Sequence, residues 1–165
     1  MEAPTREASM TALKTRPAPA GTAYADDFYT WTQEQSARLR SGDLTGLDRE
    51  NLAEEIESLG KSQFASLVSA LRIVLLHMLK FDFQPEMQSR SWAISIATHR
   101  VHIAEELSES PGLKGRLAEA VAKAYRVARL EAAKETGLVV KRFPETCPYT
   151  YQDIIDRSFA IDPEA

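Results

Sequence analysis

Between Asp48 and Phe81 apolar side chains recur in steps of three and four, and this run constrains what the rest of the chain can fold into. Leu52, Ile56 and Leu59 lead into Phe64, Leu67, Leu71, Val74, Leu75 and Met78, which keeps one face of an α-helix apolar. Past Leu67 the pattern broadens. Ile73, Leu76 and Leu79 point away from the first stripe, so the second half is apolar nearly all round and needs cover on several sides. The run reads as one long central helix, or as two helices stacked across Gly60, where a glycine permits a bend or the close approach of a neighbour. Arg72 interrupts it, and the uninterrupted part is shorter than the about 20 apolar residues of a membrane span, so no membrane partner is expected.

Shorter helices are expected on either side of this element. Residues 1–23 are rich in Ala, Thr and Pro, with almost no large apolar side chains, and read as a flexible tail or a docking peptide. Order is expected from Tyr24. Asp26 is the expected N-cap of a first helix that carries Phe28, Trp31 and Leu39 on one side and stops at Gly42. Asp48 caps the long helix, and Pro85 forces its end near Phe81 to Phe83. Ser89 opens a third helix whose inner face is Trp92, Ile96, His99, Ile103 and Leu107. Ser110-Pro111 opens a fourth, striped with Leu117, Val121, Ala124, Ala128 and Ala132 and closed by Gly137. Residues 138–143 read as extended, and Thr150-x-x-Asp153 as a capping box for a short last helix. The fold expected is an all-α, single-domain bundle of four main helices with a short C-terminal helix, over residues 24–160.

With 165 residues, 44% of them hydrophobic, the chain can bury a core without disulfides or a metal staple. A net charge of −4 argues against general nucleic-acid binding, which needs a basic footprint. The single Cys147 excludes an intramolecular disulfide and fits a reducing compartment, and nothing near the N-terminus has the apolar core of a secretion signal. A soluble, cytoplasmic protein is expected.

Several segments stand in a recognisable order: Asp27-Phe28-Tyr29-x-Trp31, Asn51-Leu52-Ala53-Glu54-Glu55-Ile56-Glu57-Ser58-Leu59-Gly60, His77-Met78-Leu79-Lys80 and Ser89-Arg90-Ser91-Trp92. Glu135-Thr136-Gly137-Leu138 and Phe143-Pro144-Glu145-Thr146-Cys147-Pro148-Tyr149 follow. Together they resemble the bacterial, largely cyanobacterial and proteobacterial, family known only as domain of unknown function twenty-nine, over about residues 24–160. The resemblance implies an all-helical bundle and no activity. The family's usual third helix is rich in Arg, Glu and Gln, whereas this one reads Ala93-Ile94, Ala97-Thr98-His99 and Val101-His102.

Nucleotide-binding glycine loops, paired cysteines and an HExxH helix are absent from the sequence. Two constellations remain. Helical spacing puts Glu57, in the acidic group with Glu54 and Glu55, on the apolar side beside Ala53, Phe64 and Leu75. A carboxylate there needs a partner, so a buried ion pair with Arg90 or Arg100 is expected; the sharper reading is a general base or a metal ligand. The histidines are the second. His77 lies on the long helix, and His99-x-x-His102 places two imidazoles on neighbouring lines of the third. Glu57 and His77 are thus the candidate catalytic residues, and Glu57, His77, His99 and His102 the candidate ligands of a divalent metal. No stoichiometric metal is expected, because a core histidine needs only one hydrogen bond, whereas a metal needs several donors in register. Cys147 has no basic neighbour in sequence to activate it.

The function read from these residues is a non-catalytic interaction or assembly module. Its long apolar helix exceeds what one partner helix can cover, so a homodimer is expected. The alternatives are a metal-dependent hydrolase built on Glu57, His77 and His99, and an antitoxin-like regulator that binds a partner protein.

Overall fold

A computed structural model describes residues 21–159, so most of the tail read at residues 1–23 lies outside the described residues. The protein is all-α, and no strand occurs among the described residues. Four long helices, α1 (Phe28–Ser41), α2 (Arg49–Phe83), α3 (Arg90–Glu109) and α4 (Leu117–Thr136), precede a short α5 (Tyr151–Asp156). Three 3₁₀ turns, Pro85–Met87, Pro111–Arg116 and Val140–Arg142, lie between them. The chain divides into two compact units, Met1–Ile56 and Glu57–Ala165, joined inside α2.

In the first unit α1 starts one residue later than the sequence suggests. Asp27, not Asp26, is the N-cap, because its carboxylate accepts the Thr30 backbone N–H at 3.0 Å. Order also begins before Tyr24, since the Thr22 backbone N–H and hydroxyl both donate to the Glu34 carboxylate, at 2.9 and 3.0 Å. Gly42 closes α1 with φ of 77°, the left-handed conformation that favours glycine. The turn back into α2 is held by a polar clasp. Trp31 Nε1 donates to Asp48 Oδ2 at 3.2 Å, and the Asp48 backbone N–H donates to the buried Gln35 Oε1 at 2.9 Å. The same carboxylate caps α2 through Asn51. One residue therefore starts the helix and ties it to α1.

In the second unit α2 is antiparallel to α3: Gln63 meets Ser110, Ser66 meets Glu106, and Phe81 packs edge-on to Trp92. It is parallel to α4, where Lys123 lies over Phe64, and Arg72 and Lys80 pair with Glu131 and Glu135. Leu67, Leu71, Val74, Leu75, Met78 and Leu79 are almost completely inaccessible, as the all-round pattern requires. Ala120, Ala124, Ala128 and Ala132 are fully buried on α4, so small side chains let that helix approach closely. After Gly137, left-handed at φ of 72°, the chain is expected to run extended; it instead forms the 3₁₀ turn Val140–Arg142 and turns Phe143 inward against Phe83. The capping box of Thr150 and Asp153 opens α5, and Ile154 completes the core. Arg100 donates from Nε to the Ile154 carbonyl at 2.7 Å and from Nη2 to that of Asp153, satisfying the open C-terminal end of α5.

Two expectations about α2 are corrected. Of the two readings of this run the single helix holds across Gly60, but that glycine is exposed with nothing near the place a Cβ would occupy, so it serves no close approach. The apolar stripe is also not buried along its length: Ile56 and Leu59 are 67% and 68% exposed. Full burial begins only at Phe64, where α3 and α4 reach the helix. By length and composition α2 would suffice to cross a membrane, and 61% of its most apolar window is buried within the protein.

Burial divides the stripe into two energetic classes. Leu75→Ala is expected to cost about 2–5 kcal/mol, the range for a fully buried leucine. Leu59→Ala is expected to stay within about 0.5 kcal/mol, as for a surface substitution. Urea unfolding followed by circular dichroism separates them; equal costs would contradict this division.

Candidate functional site

Glu57 shares the helical line of Phe64 and Leu75, as spacing predicts, but that line is uncovered at Glu57 and the expected burial does not occur. Its carboxylate is exposed and pairs with Lys61 one turn along at 3.1 Å, while Arg100 is committed to α5. The expected buried ion pair with Arg90 or Arg100 is absent, because the part of α2 that carries Glu57 has no helix packed over its stripe. Glu55 instead accepts the Tyr24 hydroxyl at 2.5 Å, and that hydrogen bond holds the phenol above its ordinary value.

Among the described residues the buried charge is Lys80. It is 7% exposed, its Nζ lies 2.6 Å from Glu135 Oε2, and it sits 4.3 Å above the centre of the Trp92 ring. His77 stacks on Trp92 as well, its ring centre 6.4 Å from that of the indole. Its Nδ1 is buried without a hydrogen-bond partner. Desolvation, reinforced by the Lys80 charge, pushes the imidazole down to about 4, so His77 is neutral at neutral pH. The neutral imidazole lies beside an ammonium that is already paired, and no carboxylate hydrogen-bonds to its buried Nδ1.

Asp82, half a turn beyond Lys80, accepts the Tyr149 hydroxyl at 2.7 Å and two donors from Arg157. Although desolvation opposes it, these donors hold the carboxyl below its usual range. Burial and the bond to Asp82 push the Tyr149 phenol up. The three side chains pin residues 149–157 to the end of α2. Sequence reasoning passed over Lys80, Glu135 and Asp82. The available signal was a lysine placed where α2 is apolar all round, which requires an acidic partner from another helix.

The other two histidines line an open groove of about 430 Å³ between α2 and α3, with Ser66, Ser69 and Glu105, Glu106 and Glu109. Their ring centres are 5.4 Å apart at 72°, and His99 Nδ1 lies 2.8 Å from the Ser95 carbonyl oxygen. His77 takes no part in this groove. Among the described residues no three His, Cys, Asp or Glu side chains are grouped so as to hold a metal ion, and Glu57, His77 and His99 do not converge.

A second, apolar pocket of about 530 Å³ lies between α4 and residues 145–151, lined by Leu117, Val121, Tyr125, Cys147 and Tyr151. Burial pushes the Cys147 thiol up, so it is protonated at neutral pH and is not an activated nucleophile. The Tyr125 hydroxyl donates to the Pro144 carbonyl at 2.7 Å, and burial raises the phenol to about 12.

Residues 23–160 match the model of a family described as "Domain of unknown function DUF29". No curated protein and no solved structure matches the chain.

Two measurements test this placement of charge. Glu57→Ala is expected to cost about 0.5 kcal/mol or less, and Glu135→Ala, which strands Lys80, about 1–3 kcal/mol, allowing for the partial exposure of Glu135. His77 binds its proton less readily folded than unfolded, so its neutral form favours the fold above the unfolded value of about 6.5. That contribution is lost as pH falls from there toward about 4. Urea midpoints between pH 7 and pH 4 should therefore fall more steeply in the native protein than in His77→Phe; parallel slopes would contradict a neutral, desolvated His77.

Proposed function

The chain belongs to the DUF29 family, and we propose that it works as a non-catalytic assembly module that pairs with a second copy of itself through its first unit. One observation supports this reading. Among the described residues of that unit, Trp31, Gln35 and Leu47 are buried, while Phe28, Tyr29, Leu39, Leu44 and Ile56 are exposed. So small a buried set supplies little stability, and large apolar side chains at this density are what a protein interface uses. The unit also carries both signs of charge on exposed residues, with Arg40 and Arg49 against Glu50 and Glu54. A two-fold contact between identical surfaces can set opposite charges against each other, which favours a second copy over a partner of one sign. The paired charges near the end of α2 support the non-catalytic part. Lys80 is neutralised by Glu135, and Asp82 is occupied by Tyr149 and Arg157.

Sedimentation equilibrium over a concentration series tests the proposal. The full chain is expected to dimerise. Leu44→Glu and Ile56→Glu are each expected to weaken the dimer roughly tenfold or more, since an interface side chain contributes on the order of 1 kcal/mol or more, with helical content unchanged. A monomer at every concentration, or a dimer indifferent to both substitutions, would overturn the reading.

A further inference from the structure

Of the three histidines, His99 and His102 are brought together, and their arrangement has the elements of a metal site. Metal–nitrogen bonds of about 2.0–2.1 Å at a tetrahedral angle hold two imidazole ring centres roughly 5 Å apart. The two rings stand 5.4 Å apart. The Ser95 carbonyl can only accept, so the hydrogen on the His99 ring is at Nδ1, and Nε2 carries the lone pair. A backbone carbonyl that fixes the tautomer in this way is the usual outer support of a ligating histidine.

The surroundings favour a cation. Glu105, Glu106 and Glu109 border the same groove and give it negative potential. Ser66 Oγ donates to Glu106 Oε1 at 2.5 Å, which holds that carboxylate one turn along the helix from His102. The groove is open, with room for water ligands beside the two rings. Among the described residues no third His, Cys, Asp or Glu is grouped with the two rings, so water has to fill the remaining positions of an ion bound here. Imidazole donors select zinc, nickel or copper over magnesium or calcium.

We propose that His99 and His102 form an open divalent transition-metal site on α3, bound through both imidazoles and completed by water. The site does not depend on the assembly reading, since it uses neither the first unit nor a second copy.

Isothermal titration of the full, untagged chain with zinc and with nickel tests the proposal. One ion per chain is expected. His99→Ala and His102→Gln should each lower the affinity at least roughly tenfold, since even losing an outer-shell support costs 10–100-fold. His102 is exposed, so His102→Gln is expected to keep the circular dichroism of the native chain and to serve if His99→Ala unfolds. His77→Phe should bind as the native protein does. No saturable binding by the native chain, or equal affinity in His102→Gln, would overturn the site; the second result would mean adventitious binding only.

Discussion

The second unit depends on one requirement: a helix that is apolar on every side must be enclosed. From Ala70 to Phe81 every residue of α2 is buried or half-buried, so α3, α4 and the C-terminal segment are each placed by the surface they cover. The alanines of α4 allow it to lie close to the central helix, and Phe143 and Ile154 close the remaining gap. Burial of this kind is non-directional. It sets how much surface must be covered, and it leaves register and ends to polar contacts.

Those contacts are few. Lys80 with Glu135 and Arg72 with Glu131 set α4 against α2, while Asp82 collects Tyr149 and Arg157 from the last segment. Each removes a charge from water at a cost that its partner must offset, so an alternative register would strand it. Several segments on which the family resemblance rests meet here. His77 and Lys80 come from one, Trp92 from another, Glu135 from a third, and Tyr149 reaches the neighbouring Asp82 from a fourth. They support one another mechanically, which explains how segments far apart in sequence can jointly mark a fold.

The first unit follows a different rule. Its clasp of Trp31, Gln35 and Asp48 is directional and nearly complete, whereas its apolar surface is largely open. Hydrogen bonds define its shape while several of its large hydrophobic side chains stay exposed. The groove of His99 and His102 has a comparable character. Its donors are oriented by a backbone carbonyl and a serine, yet they face solvent and not the core.

Local chemistry was legible in the sequence wherever a neighbour in the chain decides the outcome. Gly42 and Gly137 end helices because each provides the left-handed residue, Pro85 forbids continuation of α2, and Thr150 with Asp153 makes a cap from residues three apart. The all-round apolar half of α2 likewise dictated its own burial and with it the all-α class. Glu57 marks where such reasoning stops. Its helical phase is that of the core, but phase says only which side a residue is on, and whether that side is covered depends on where other helices end. Lys80, on the covered part, is buried and paired, while Glu57, on the uncovered part, is exposed. Sequence by itself therefore determined the helices, most of their ends and the core contributed by the second half of α2. Tertiary structure alone decided which charges are buried, which histidines meet and which apolar residues stay open, because each depends on distances between segments whose register no local interaction sets.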